Sequence, residues 1–309
     1  MRAFLRQGVL FLALVFASSC ATTQPAGPAY DLLILNGRIV DGSGASAYDG
    51  DIAISGNTIM KIGDLAAASA SRIIDARGFI VAPGFVDLHN HADRNIKASP
   101  AMENYLHQGV TTILTGNCGN SPVHLGNYFE TIEDTGIALN VATLIGHNAV
   151  RREVMGNENR TPTADEQERM DALVKAAMDD GAFGMSTGLI YLPGTYSETD
   201  EVVSLARVVA AEGGIYASHI RNEFDLIVDA INEAITVGRE AQLPVQISHF
   251  KVADNKMWGD STITLGLVEA ARAEGLDVTI DQYPYTAGST GLVNVLPSWA
   301  RAGTREDFQ

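Results

Sequence analysis

Positive charge is scarce in this sequence. Against 37 Asp and Glu stand 21 Lys and Arg, a formal net charge of −16 over 309 residues. Such a chain lacks the basic face that a nucleic-acid partner requires, and that class of function is set aside. Cysteine is almost missing as well. Cys20 and Cys118 are the two present, so at most one disulfide is possible and a heavily stapled scaffold is excluded. No period of 20–50 residues recurs, which argues against a solenoid. The apolar run Val9–Phe16 is too short to span a bilayer stably. What is present is ordinary globular composition, 46% hydrophobic and 19% charged. The length suffices for one large α/β barrel or two ordinary domains.

The first residues read as a leader rather than as fold. Arg2 and Arg6 precede the Val9–Phe16 run, and Ala17-Ser18-Ser19 then meet Cys20. The pattern resembles a bacterial lipoprotein signal, in which the cysteine is lipidated and becomes the mature N-terminus. It departs from that pattern at Ala17, where leucine is commoner, and an ordinary secretory signal is the other reading. Residues 1–20 are therefore expected to be a signal peptide and 21–30 a small, polar tether. The protein is expected to be exported, as a periplasmic or cell-envelope lipoprotein of a bacterium that meets the membrane only through its lipid. If Cys20 carries lipid, Cys118 has no disulfide partner, and metal ligation is a good reason to keep it.

From Asp31 the chain is strand-rich, with short β-branched runs at Leu32–Leu35, Arg38–Val40, Asp51–Ser55, Thr58–Ile62 and Arg72–Asp75. Asn36-Gly37 and Gly56-Asn57 read as turns between them. Residues 31–80 are expected to form a small β-sandwich domain. From 81 to 309 strands alternate with helical patterns. After the run at Phe85, strands are read at Thr111–Leu114, Ala138–Ile145, Ala182–Ser186, Gly214–Ala217, Pro244–Ser248 and Leu276–Ile280. Helices are read at 165–179, with Thr163 and Glu166 as a capping box, and at 199–212, 225–240 and 262–274. That alternation predicts a parallel sheet with helical crossovers. Seven strands are one short of a (β/α)8 TIM-type barrel, and 292–309 has no cap or polar tail. The expectation is a barrel truncated before strand eight, a fragment of a longer protein.

The chemistry gathers where predicted strands end. Pro83-Gly84 opens the stretch that leads through Phe85-Val86 and Leu88 into His89 and His91. On a strand, residues two apart share a face, so both imidazoles would project side by side. Cys118, His219 and His249 also follow predicted strands. In a parallel barrel these ends share one mouth, where active sites lie. Four imidazoles and a thiolate suffice there for two adjacent metals, or for one metal and supporting contacts. His147 ends the third strand on the same side and is carried as a contact to substrate or ligands. His107 reads as structural and His124 as surface.

These motifs carry a resemblance. GRIVDGSG and RGFIVAPGFVDLHNH are similar to the start of an amidohydrolase-superfamily enzyme. TGNCG, AFGMSTGLIYLPGTYSETDE, ASHIRNE, QISHFK and DQYPYTAGST resemble its D-aminoacylase (N-acyl-D-amino-acid deacylase) branch, from about Asp31 to Leu292. TGNCG matters most, because that branch uses a cysteine where relatives use a carbamylated lysine. The resemblance implies that Cys118, His219 and His249 hold a tight zinc, with His89 and His91 facing a second, weaker site. Lys251 and Tyr283 would lie near the substrate carboxylate, and Tyr191 near the scissile amide. The branch's catalytic base, an aspartate after the eighth strand, has no counterpart up to Gln309, and Asp281 is not taken as its substitute. The implied function is zinc-dependent hydrolysis of a small-molecule N-acyl-D-amino acid. A related amidohydrolase acting on a cyclic amide or dipeptide-like substrate, and a non-catalytic barrel that only binds, are the alternatives.

Overall fold

A computed structural model of the chain describes residues 29–259, 261–292 and 296. The expected signal at 1–20, the tether as far as 28 and most of 292–309 lie outside them. The chain divides after Pro83 into two compact units.

The first unit is one mixed sheet. Its strands are β1 (Tyr30–Ile39), β2 (Tyr48–Ser55), β3 (Thr58–Gly63), β4 (Ala70–Asp75) and β5 (Ile80–Val81), in the order β3-β2-β1-β4 with β5 also beside β1. Gly56-Asn57 forms the turn between β2 and β3, as the sequence predicts. Asn36-Gly37 does not form a turn. It is a bulge inside β1, where the register against β2 shifts between Ile34 and Gly37. Asn36 takes the left-handed conformation there (φ 61°). Its amide donates to Asp51 and its side chain to Asp75, so the bulge replaces lost ladder bonds with carboxylate ones. The bulge lets one long strand pair with β4 in its first half and β5 in its second. The expected sandwich is not seen among the described residues. Leu33, Ala53 and Leu65 form a small buried cluster, but Ile59, Ile62, Ile73, Phe79 and Ile80 stay exposed. A sandwich needs a second sheet over such a face, and residues 30–81 spend all their strands on one.

The second unit is α/β. In chain order it runs β6 (Phe85–Asp87), α1 (Glu103–Leu106), β7 (Val110–Thr115), α2 (Leu125–Thr135), β8 (Asn140–Thr143), β9 (Ile145–Gly146), α3 (His147–Met155), α4 (Ala164–Asp179), β10 (Gly184–Gly188), α5 (Thr199–Ala211), β11 (Ile215–His219), α6 (Ile227–Ala241), β12 (Val245–Ile247), α7 (Ser261–Ala273) and β13 (Val278–Ile280). All strand pairs in this unit are parallel, and apart from the one-residue step from β8 to β9 each connection runs through helix. The predicted capping box is present: the Glu166 amide donates to Thr163 Oγ1, and the Thr163 amide donates to the Glu166 carboxylate. One core joins helix and sheet, with Leu205 and Val209 of α5 and Ile231 and Ile235 of α6 packed among Met185, Tyr216 and Val245.

The strand expected at Ala138–Ile145 is split. β8 pairs with β7, whereas β9 pairs with β10, leaving sheets β6-β7-β8 and β13-β12-β11-β10-β9. The break falls at Leu144, where the backbone crowds Gly116. A Cβ on Gly116 would sit 2.1 Å from the Leu144 carbonyl oxygen, and Gly116 has φ +72°. β6 and β13 do not pair with each other among the described residues, so the sheet is not closed there. No described helix is long and apolar enough to cross a membrane.

Candidate metal centre

β6 lasts only three residues, so His89 and His91 stand in the loop beyond it rather than on a strand. The two rings still meet, at 5.8 Å between centroids and 78°, but for a different reason. Asn90 pins the loop: its side-chain amide donates to the Asp87 and Leu114 carbonyls, and its oxygen accepts from the Ala92 amide. Strand alternation therefore does not account for their pairing; the loop geometry does.

The turn after β7 brings in the thiol. Cys118 is buried and holds φ 56°, a left-handed conformation that costs a residue with a Cβ. Asn117 clamps the turn by donating to the carbonyls of Leu114 and Leu88. On the other side the Gly119 amide donates to Ser186 Oγ, and a Cβ there would collide with Asn148 Oδ1 at 2.1 Å. His249, two residues past β12, is left-handed too (φ 38°), and its amide donates to Asp281 Oδ1 at 2.6 Å. Two strained backbones at two candidate ligands point to a site that its surroundings hold in place.

From these ends the donors converge. Cys118 Sγ lies 3.4 Å from His89 Nε2 and 3.9 Å from His249 Nε2, and His249 Nε2 lies 2.7 Å from His219 Nδ1. Two groups have ligand atoms all within 4.8 Å of one another, His89–His91–Cys118 and Cys118–His219–His249. Cys118 belongs to both, the arrangement for two adjacent cations sharing one thiolate. The donor set, one sulfur with imidazole nitrogens, is that of zinc.

The charges agree with a cation. Burial pushes the Cys118 thiol up, but His219, His249, His89 and His91 around it outweigh burial and hold it well below the ordinary thiol value. Burial pushes His89 down, and Asp281 with Cys118 lifts it to about 10. Burial lowers His219. Burial opposes charge on His249 too, yet Cys118 and Glu223 leave it raised. Glu223 would be raised by burial, but His249, His219 and Lys251 bring it to about 2. A metal here must displace protons from imidazoles, so binding releases protons and weakens in acid.

A cavity of about 800 Å³ opens over the cluster, lined among others by His91, Cys118, Tyr191, His219, Glu223, His249, Lys251 and Tyr283. All five expected ligands are thus together, and the three expected substrate contacts line the same cavity as four of them, His91, Cys118, His219 and His249. The Tyr191 ring stands 4.6 Å from that of His219, and Lys251 Nζ lies 5.6 Å from the centre of the Tyr283 ring. His147 is not at this site. It begins α3, is fully buried, and gives its Nε2 to Glu201 of α5 at 2.9 Å. The reading of His147 as a substrate contact is corrected: the strand direction was right, but the helix that starts there carries the ring into the packing between helices. His107 and His124 are exposed, at the end of α1 and the start of α2. Sequence reasoning missed Glu223, whose Oε1 accepts from both His249 Nδ1 and Lys251. It also gave no role to Asp281, which receives His89 Nδ1 at 3.0 Å. The one available signal was Glu223's place four residues after His219.

A profile described as the amidohydrolase family matches residues 72–308. D-aminoacylase of Alcaligenes xylosoxydans xylosoxydans is 39% identical over 293 residues, which cover 87% of this chain and 60% of that protein. N-acyl-D-glutamate deacylase of the same organism is 39% identical over 285 residues, 85% of this chain and 58% of its own. The chain thus spans about three-fifths of the length of these curated relatives. The crystal structure of a D-aminoacylase superposes with a TM-score of 0.80 at 38% identity, covering 84% of this chain and 59% of that one. N-acyl-D-glutamate deacylase from Bordetella bronchiseptica, complexed with zinc and a phosphonate mimic of the tetrahedral intermediate, gives 0.79 at 36% identity over 83% and 59%. L-hydantoinase from Arthrobacter aurescens, at 0.59 and 20% identity over 82% of this chain and 58% of that one, shares the fold.

Proposed function

This chain belongs to the amidohydrolase family, and on that premise we propose that it is the metal-binding part of a zinc-dependent hydrolase of N-acyl-D-amino acids. The observation that carries the reading is the shared thiol: the ligand atom of Cys118 lies within 4.8 Å of those of two histidine pairs, beyond the ends of parallel strands from both sheets. Cys118, His219 and His249 would hold the tighter zinc, and His89 and His91 with Cys118 a weaker second one. Bound there, zinc supplies a nucleophile by lowering its water's pKa toward about 7 and polarises the amide carbonyl as a Lewis acid. D-aminoacylase and two deacylases of acidic N-acyl-D-amino acids, at 36–39% identity, support the substrate class. The two sheets are read as arcs of one (β/α)8 barrel, and the N-terminal sheet as one layer of a sandwich.

The chain's own residues bind and orient. Lys251 faces the cavity, held by Glu223 and the His249 carbonyl. Its ammonium is the natural partner for an acyl amino acid's carboxylate, with Tyr283 beside it. Tyr191, next to His219, walls the cavity above the ligands. Asp281 is engaged by His89, the His249 amide and Gln246, so it orients groups and is not free to carry protons.

Binding is the test that needs no proton transfer. Titration calorimetry of the zinc-loaded protein is expected to show N-acetyl-D-amino acids binding more tightly than their L forms or their methyl esters. Lys251→Met should weaken the acid by about tenfold, roughly 1.4 kcal/mol, and leave the ester unchanged. Equal affinity for acid and ester would overturn the substrate reading. Export is proposed as well: Cys20→Ser should move the protein from the membrane fraction to the soluble one, and a wild-type protein found wholly soluble would exclude the anchor.

A further inference from the structure

Glu223 is the least explained charge at the centre. It is 7% exposed, and a carboxylate so deeply placed is costly unless it is fully partnered. One oxygen does the partnering. Oε1 accepts from His249 Nδ1 at 2.9 Å and from Lys251 Nζ, and it lies 4.0 Å from His219 Nε2. His219 Nε2 is itself buried and has no hydrogen-bond partner. Lys251 Nζ lies 3.2 Å from the same Nδ1, so ammonium, carboxylate and imidazole meet at one point; a proton on Nδ1 directed at the carboxylate leaves Nε2, the nitrogen toward Cys118 and His219, with its lone pair free.

The loop that carries Glu223 is tied down before the carboxylate is reached. Arg221 binds Glu233 through two nitrogens and donates to the carbonyls of Thr195 and Ser197. The Ala253 amide donates to the Glu223 carbonyl, joining the loop after β11 to the loop after β12. The backbone therefore sets where the carboxylate sits, and the carboxylate sets its two cationic or imidazole partners.

We propose that Glu223 is a positioning residue whose Oε1 holds the metal ligand His249 and the substrate-binding Lys251 together, beside the direct approach of Lys251 Nζ to His249 Nδ1 at 3.2 Å and to its carbonyl at 3.3 Å. The proposal rests on the zinc reading above and goes further, because it makes metal affinity and substrate affinity depend on one side chain. Carboxylates behind metal-bound histidines typically change metal affinity by about 10–100-fold when replaced. Loss of Glu223 should do that and free Lys251 at the same time. Loss of Lys251, which leaves the Glu223 bond to His249 Nδ1 in place, should weaken substrate far more than zinc.

The experiment strips the purified protein of metal and measures three quantities: zinc affinity by chelator competition, the visible spectrum of the cobalt(II) form, and affinity for an N-acetyl-D-amino acid. Glu223→Gln keeps size and one acceptor while removing charge; Glu223→Asp keeps charge but shortens its reach. Both are expected to weaken zinc by about tenfold or more, shift the cobalt bands and weaken the acyl amino acid. Lys251→Met is expected to keep zinc within threefold of wild type and weaken the acyl amino acid far more. Glu240→Gln, at an exposed ion pair with Arg207, serves as a control for charge removal. If the wild type binds zinc and the two Glu223 variants bind it within threefold with unchanged cobalt spectra, the coupling is wrong. If the wild type itself holds no zinc, the functional reading falls and the coupling with it. A variant that fails to fold leaves the other to decide, and Glu223→Asp keeps the buried charge balance.

Discussion

Replacing Cys118 with serine is expected to remove zinc altogether, from about one tightly held ion per chain to background after desalting. No other side chain belongs to both donor groups, so its loss opens both shells at once. Serine is nearly the same size, and its hydroxyl is not held ionised by four imidazoles as the thiol is. The fold should survive, since the left-handed turn is clamped by Asn117 and by Gly119 to Ser186 rather than by sulfur. Stability supplies a second readout. Zinc at a hundred times its dissociation constant stabilises the native state by about 2.7 kcal/mol, and this gain should vanish in Cys118→Ser. Elemental analysis and melting with and without added zinc measure the two effects. Stoichiometric zinc in the variant would sink the assignment of Cys118.

The convergence of the five candidate ligands was legible because each stands near the end of a recognisable strand, and position along the chain then implies position at one face. Helices α4 to α7 were legible because a Gly or Pro follows close on each, and α4 also opens on a capping box. What was not legible depends on contacts between residues far apart. The split at Leu144 comes from the approach of Gly116, 28 residues earlier, and nothing in Ala138–Ile145 itself announces it. Asn36-Gly37 has the composition of a hairpin turn, but Asp51 and Asp75 catch it inside a strand. Glu223 and Asp281 are acids among 37, and only the folded positions of His249 and His89 single them out. The resemblance supplied Tyr191, Lys251 and Tyr283; spacing alone could not have.

His147 points to the other large effect, outside the candidate ligand cluster. It stands four residues before Arg151 on α3, and both side chains meet Glu201 on α5: His147 Nε2 at Oε1, and Arg151 Nη1 at Oε2. Arg151 and His147 are fully buried, and Glu201 is 5% exposed. Arg151 also donates to the Arg160 and Glu158 carbonyls, so the chain between α3 and α4 hangs on it. Glu201→Ala strands a guanidinium in this interior, and breaking a buried pair from one side costs about 3–5 kcal/mol. Against a total stability of about 5–15 kcal/mol, that is a large fraction, to be measured by urea unfolding at pH 7. Acid should erase the difference. Burial raises the Glu201 carboxyl, but His147 and Arg151 outweigh burial and leave it below the ordinary glutamate value. A carboxyl with a depressed folded-state pKa stabilises fully above its unfolded value, near 4.3, and loses that contribution as pH falls through the folded value. The charge-dependent part of the loss in Glu201→Gln should therefore be complete at pH 7 and shrink below about pH 4. A loss under about 1 kcal/mol for Glu201→Ala at pH 7, the range of an exposed pair, would show that this cluster does not hold α3 to α5.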